Sequence, residues 1–260
     1  FVVKVFDQGI YKEYSFSDIT EDNFSNIIKE VDDLKLPDSL LENKMSLSAL
    51  KDEPLVKDFV REKEGKGYST GELMEELNKI KDKILSCSPL IIQAMAMADQ
   101  YTVNSFFISK NRNLSQSFSW STVYAVAVAR KENNIKDKAG VFVSNNLEKN
   151  LINAYNGVEE VVDIATMLLD SKPIVPGVYD IIVHPSVTGL IAHEAFGHGV
   201  EMDMFVKHRA KSRLYINKPV ASSLVSMHDG ASATHSAASY FFDDDGVEAH
   251  DTLIIDKGIL

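Results

Sequence analysis

Residues 192–201 read Ala-His-Glu-Ala-Phe-Gly-His-Gly-Val-Glu, and the chain is organised around this stretch. Two imidazoles, His193 and His198, with the carboxylate of Glu194 between them, are the groups needed to hold a divalent metal beside a general base. Metal-assisted hydrolysis is the first reading. The familiar zinc helix H-E-x-x-H sets its histidines four apart on one face, whereas here they lie five apart. Five residues of straight α-helix rotate by about 500°, leaving the two rings roughly 140° apart around the axis. Convergence on one ion therefore demands a locally distorted turn, for which an i→i+5 π-bulge is the expected form. Gly197 and Gly199 flank His198 and lower the cost of such a distortion.

A second arrangement needs no distortion, because Glu194, His198 and Glu201 at i, i+4 and i+7 share a helical face. That set suits a carboxylate-rich metal site or a simple hydrogen-bonded cluster, with His193 pointing away. A satisfied polar helix is the blander reading. Against it stands the apolar, glycine-containing run around the motif, where two imidazoles and two carboxylates would be costly to bury unpaired. Spacing alone leaves both arrangements open.

Other reactive residues carry weaker signals. Cys87 is the single cysteine, with no basic or histidine neighbour in sequence, and is expected to be a buried structural thiol. His184 precedes a proline and reads as a turn residue. His228 and His235 could approach a metal, but their surroundings read as turn and loop. Asp243 to Asp245 before Gly246 read as an acidic hairpin turn rather than a cation site. Met95 and Met97 alternate along a strand and are expected in the core.

The elements that must position the motif are those of a soluble globular chain: 260 residues, 45% hydrophobic and 25% charged, enough for one large or two modest domains. With 27 Lys+Arg against 38 Asp+Glu the formal charge is -11, which disfavours a phosphate backbone or an anionic membrane as direct partner. No stretch approaches the roughly 20 apolar residues of a membrane-spanning helix. One cysteine excludes an internal disulfide framework and fits a reducing compartment, so the cytoplasm is expected. The chain opens at Phe1 within a strand-like run and stops directly after another, so both ends are expected to be cut.

Alternation from Phe1 to Phe16 around Asp7-Gln8-Gly9 predicts a strand hairpin. Thr20 then caps a helix whose Phe24, Ile27, Ile28, Val31 and Leu34 form one apolar stripe for a sheet to cover. Residues 36–67, with Pro37 and Pro54, read as a wandering connection. A capping box, Ser69 with Glu72, opens a helix through Leu73, Leu77, Ile80 and Ile84. Short segments 90–99, 103–109, 114–120, 122–130 and 139–143 predict a β-meander. A helix carrying Val158, Val161, Val162, Ala165, Leu168 and Leu169 follows. Lys172-Pro173 to Pro176-Gly177 marks a domain boundary. Beyond it, Val178 to Val183 predicts a strand, Ser186 caps the motif helix, residues 202–219 read as a loop, and residues 220–227 and 253–255 read as further strands. The expected fold is α+β: helices packed on an antiparallel meander over 1–172, then the beginning of a second, mostly β domain over 173–260 that opens with the metal-site helix.

The run AHEAFGHGVE, followed some forty residues later by DDDGVEAHDTLIIDKGIL, resembles the TldD/PmbA family of zinc metallopeptidases. The likeness is strong from Val178 onward, and the intact H-E-x-x-x-H motif points to the TldD-like branch. The resemblance implies that His193 and His198 ligate zinc, that Glu194 is the base, and that a third ligand, a cysteine, lies beyond residue 260. It implies extended or unfolded peptide substrates, a PmbA/TldE-like partner or a homodimer, and an association with modulators of DNA gyrase. A non-catalytic partner or scaffold subunit is the competing function, in which the helix survives as packing.

Overall fold

A computed structural model describes residues 1–7, 9–33, 49, 51–230 and 239–260. Two compact units are present. One comprises Phe1–Leu55 with Ser109–Arg112, and the other Val56–Ile108 with Asn113–Leu260.

In the smaller unit, strand β1 (Val2–Asp7) pairs antiparallel with β2 (Ile10–Ser15), as the alternation predicts. Gly9 makes the turn with φ 82, a conformation that costs glycine nothing. Helix α1 spans Phe24–Asp32. Thr20 acts one turn ahead of it, its Oγ1 accepting from Asn23 N while Asn23 Oδ1 accepts from Thr20 N. None of the described residues of α1 is buried, and Phe24 is half exposed, so the stripe is uncovered among the described residues. Leu34, Pro37, Gln8 and His235 lie outside the described residues.

The larger unit is built on a long meander. Its sheet is formed by β3 (Leu55–Arg61), β4 (Ile91–Ile108), β5 (Arg112–Lys131) and β6 (Asn134–Ser144). The central strand β5 pairs with β4 along its whole length, and with β3 and β6. The predicted short segments are thus fused into two long strands, a correction with a simple cause. The polar positions between the predicted segments are paired across the strands, Gln100 with Ser121 and Thr102 with Ser119, whose hydroxyls lie 2.7 Å apart. Neither Gly nor Pro interrupts β4 or β5 to force a turn.

Helix α2 (Thr70–Cys87) starts at the predicted capping box, in which Ser69 and Glu72 exchange both hydrogen bonds. Helix α3 (Leu147–Asn156), absent from the sequence prediction, and α4 (Val158–Met167) pack beside α2 on the same sheet face. Along that face run Ala94, Ala96 and Ala98 of β4, whose partners on β5 are Ala127, Ala125 and Val123. Small residues let the helices approach closely, and Gly140 of β6 is the extreme case: a Cβ there would sit 2.8 Å from Val161 of α4. Met95 and Met97 accordingly point away and are about 42% and 43% exposed, which corrects their expected core position. Cys87 is also corrected. It ends α2 in an exposed position, with no core around it.

A polar knot ties α3 to the sheet. Buried Asn150 donates from Nδ2 to Ser121 O and to Ser121 Oγ, each at 3.0 Å, and accepts from Ser144 Oγ at 2.8 Å. The segment 239–248 then straps the far half of the sheet. Gln116 accepts from Phe241 N at 2.9 Å and donates to Phe242 O at 3.0 Å, and Phe59 stacks on Phe241. The acidic turn inside the strap is built as predicted, Asp243 Oδ1 accepting from Asp245 N and Val247 N.

The predicted strand 178–183 does not form. It has no strand partner among the described residues, and Val178 and Ile182 are fully exposed. Helix α5 (Pro185–Ala195) carries the first half of the motif and α6 (Met202–Val206) follows it. Strands β7 (Met227–Gly230) and β8 (Asp251–Ile255) pair antiparallel, so His228 lies in a strand rather than a turn, with Nδ1 3.1 Å from Asp251 Oδ2. No helix among the described residues is long and apolar enough to cross a membrane.

Two stability predictions follow from these contacts. Asn150→Ala removes the donor to Ser121 O and Oγ and the acceptor of Ser144 Oγ, and is expected to cost about 1–3 kcal/mol, read from urea midpoints. The Ser69 backbone N–H, then the Ser69 hydroxyl, then Lys66 hold the Glu72 carboxyl at about 2, below its ordinary 4.5. A depressed acid stabilises the fold above its unfolded value and loses that contribution as pH falls. The stability difference between wild type and Glu72→Gln is therefore expected to be full above pH 4.5 and to shrink as pH falls toward about 2.

Candidate metal centre

The motif segment starts at His184, whose Nδ1 accepts from Ser186 N, with Pro185 at the first helical position. The cap is therefore His184 and not the expected Ser186, because proline's fixed φ suits the first turn and starts the helix earlier. From there α5 runs regularly to Ala195. Phe196 then leaves helical geometry at φ -136 and ψ -38, and Gly197–Val200 continues as a 3₁₀ turn. Phe196 N still donates back to Ala192 O at 3.1 Å, while Gly199 N donates to Phe196 O at 2.9 Å.

This break solves the five-residue spacing. The ring centroids of His193 and His198 lie 4.4 Å apart. His193 does not point away, as the alternative arrangement required. The distortion is a helix end joined to a tighter turn and not a π-bulge, which differs from the expectation. A 3₁₀ turn advances about 120° per residue rather than about 100°, so winding tightens where a bulge would have loosened it. Gly197 sits inside the turn with Ala192 O, His193 Nδ1 and Met227 Cε all within 3.8 Å of where a Cβ would lie.

His193, Glu194 and His198 each offer an atom within 4.8 Å of the others, and all three are exposed. Ligand atoms of a tetrahedral zinc are roughly 3.4 Å apart for bonds of about 2.1 Å, so a modest side-chain rotation closes the set. Two imidazoles with a carboxylate alongside fit zinc by donor type, two short of a closed structural cage. The two carboxylates of the segment address opposite nitrogens of one ring: Glu194 Oε2 is 3.9 Å from His198 Nε2, and Glu201 Oε1 is 2.7 Å from His198 Nδ1. The hydrogen bond and charge of Glu201 raise the His198 pKa above its ordinary value, burial opposes this weakly, and Glu194 adds to it. Glu201 thus orients His198, leaving Nε2 toward the space shared with His193 and Glu194. Sequence reasoning left the role of Glu201 open, although its i+3 spacing from His198 was the available signal.

The 3₁₀ turn is held from outside by Ser212, whose hydroxyl donates to Gly199 O. Ser212 belongs to a second 3₁₀ segment, Lys211–Tyr215, within the stretch read from sequence as a loop. Sequence gave no signal for this contact. His184 serves as a cap, and His228 lies outside the cluster.

Residues 176–260 match the family described as the PmbA/TldA metallopeptidase C-terminal domain. This match and the curated relatives support the resemblance to the TldD/PmbA family. The chain is 28% identical over 186 residues to a metalloprotease of Methanocaldococcus jannaschii, covering 70% of this chain and 39% of that protein. A zinc metalloprotease TldD homolog of Saccharolobus solfataricus is 25% identical over 209 residues, 73% of this chain and 43% of that one. The chain therefore spans about two-fifths of the length of these relatives. Among solved structures, a modulator of DNA gyrase from Bacteroides thetaiotaomicron superposes with a TM-score of 0.76 at 15% identity, over 100% of this chain and 60% of that one. TldE from Thermococcus kodakarensis gives 0.61 at 13% identity, over 100% and 58%. These likenesses bear out the α+β fold class.

Outer carboxylates that orient a metal-binding imidazole typically contribute 10–100-fold in affinity. Glu201→Ala is expected to weaken zinc binding by about that factor, measured by competition with a chromophoric chelator, while the helical circular dichroism of the protein stays unchanged.

Proposed function

We propose that this chain supplies two metal ligands and the general base of a TldD-type zinc metallopeptidase that hydrolyses peptide bonds. The observation that carries the reading is the convergence of His193, Glu194 and His198 across a broken helix, in a chain that resembles the TldD/PmbA family. The similarity to proteins named as metalloproteases supports the same class.

In this mechanism His193 and His198 would hold the zinc, with a third protein ligand expected beyond residue 260. The ion supplies Lewis-acid polarisation and makes water more acidic. Glu194 takes the proton from the attacking water on a carboxylate oxygen as the carbonyl carbon is attacked, then returns it to the departing amine nitrogen. Its position suits both tasks, since it is exposed to an incoming substrate and lies beside His198 Nε2. Glu201 keeps the His198 ring from rotating out of place.

The substrates are extended or unfolded peptides, and the assembly is a pair with a TldE-like partner or a homodimer in the cytoplasm. We place a domain division at 172/173, and the start of the family match at residue 176 supports this placement.

Glu194→Gln in the protein that contains this chain tests the reading. Retained zinc with cleavage of an unfolded protein substrate reduced about 10²–10⁴-fold is the expected result. Unreduced cleavage would remove Glu194 from the chemistry, and a zinc-loaded wild type without peptidase activity would leave the scaffold function in its place.

A further inference from the structure

The stretch that follows the motif has a charge character opposite to that of the chain. Residues 207–218 contain Lys207, Arg209, Lys211, Arg213 and Lys218 and no Asp or Glu, in a chain of net charge -11. Two of these cations are satisfied locally, Lys207 by Asp203 at 2.8 Å and Lys218 by Leu214 O at 2.8 Å. Arg213 donates to His208 Nδ1, which neutralises none of its charge. Lys211 is exposed and has no ion pair among the described residues. The nearby carboxylates are already engaged, Asp203 by Lys207 and Glu201 by His198.

Lys211 separates two clefts. One, of about 400 Å³, is bounded by Ala195, Phe196 and Gly199 of the motif and by Tyr215, Pro219 and Val220. The other, of about 320 Å³, is bounded by His208, Arg209, Arg213 and Leu214. Ser212, between Lys211 and Arg213, is hydrogen-bonded to Gly199 O, so the basic turn is fixed to the residue after His198. A largely apolar cleft beside the motif, with the ammonium of Lys211 at its edge and the un-neutralised guanidinium of Arg213 at the adjoining cleft that Lys211 also bounds, is complementary to a peptide that carries an apolar side chain next to a carboxylate. A polyanion is disfavoured by the acidic remainder of the molecule.

We propose that Lys211 and Arg213 form a carboxylate-recognition site that selects peptide substrates bearing a carboxylate, either the C-terminal one or an Asp/Glu side chain, next to the metal centre. The proposal rests on the peptidase reading for its substrate but is tested by binding alone. The protein containing this chain, carrying Glu194→Gln and loaded with zinc, is titrated with fluorescent hexapeptides in two matched pairs: free C-terminus against C-terminal amide, and internal Glu against Gln. In at least one pair the carboxylate form is expected to bind about tenfold more tightly, the size of a charge-assisted hydrogen bond. The pair that discriminates identifies the source of the carboxylate. Lys211→Gln, alone and with Arg213→Gln, is expected to abolish the difference at unchanged zinc content, whereas Lys207→Gln leaves it intact. Equal binding within both pairs, or discrimination that survives the double substitution, overturns the proposal. Discrimination in a protein whose wild type cleaves no peptide overturns the peptidase reading and leaves this site standing.

Discussion

Two imidazoles five residues apart cannot meet on a straight helix, and the architecture around the motif depends on how the chain meets that constraint. It ends the helix between them. Phe196 leaves helical geometry, so His193 belongs to the last turn of α5 and His198 to a separate 3₁₀ turn. Everything nearby serves that junction: a glycine where the turn folds closely against Ala192 and Met227, a serine hydroxyl that takes up a carbonyl of the new turn, and a glutamate that fixes the second ring. A regular helix would need none of these.

The supporting layer works by a different economy of space. Alanines along β4 and β5, and Gly140 on β6, keep the sheet face low enough for α2, α3 and α4 to seat their Leu, Ile and Val side chains against it. Burial of those side chains contributes the bulk of the stabilisation, while Asn150 fixes the register of α3 through hydrogen bonds that only one placement satisfies. The same sheet carries, at its other end, the strap that Gln116 grips by Phe241 and Phe242.

Much of this was legible in the sequence, because the signals were local. The capping box at Ser69 and Glu72, the hairpin around Gly9, and the acidic turn at Asp243 each depend on a few adjacent residues, and each forms. Features set by partners distant in sequence were not legible. Helix α3 was hidden because a polar residue, Asn150, occupies its buried face and interrupts the apolar period. The long strands were read as fragments because Gln100 and Ser121 look like breaks until paired with each other. Met95 and Met97 were placed inside on hydrophobicity, whereas the helices require the alanines to face them. At the motif, the need for a distortion was readable from spacing, but its form depends on Ser212, which no pattern linked to Gly199.

None of the described residues of α5 is buried, and the apolar run before it lies in solvent. The helix that carries His193 and Glu194 is thus secured by end caps and side-chain hydrogen bonds more than by a core. Each such bond contributes on the order of 1 kcal/mol, against the much larger burial behind α2 or α4. Among the described residues the sheet-and-helix layer is thus held by a core and the ligand segment by local bonds. In such an arrangement an ion held by His193 and His198 would itself be a structural cross-link, so that occupancy and local order would rise together.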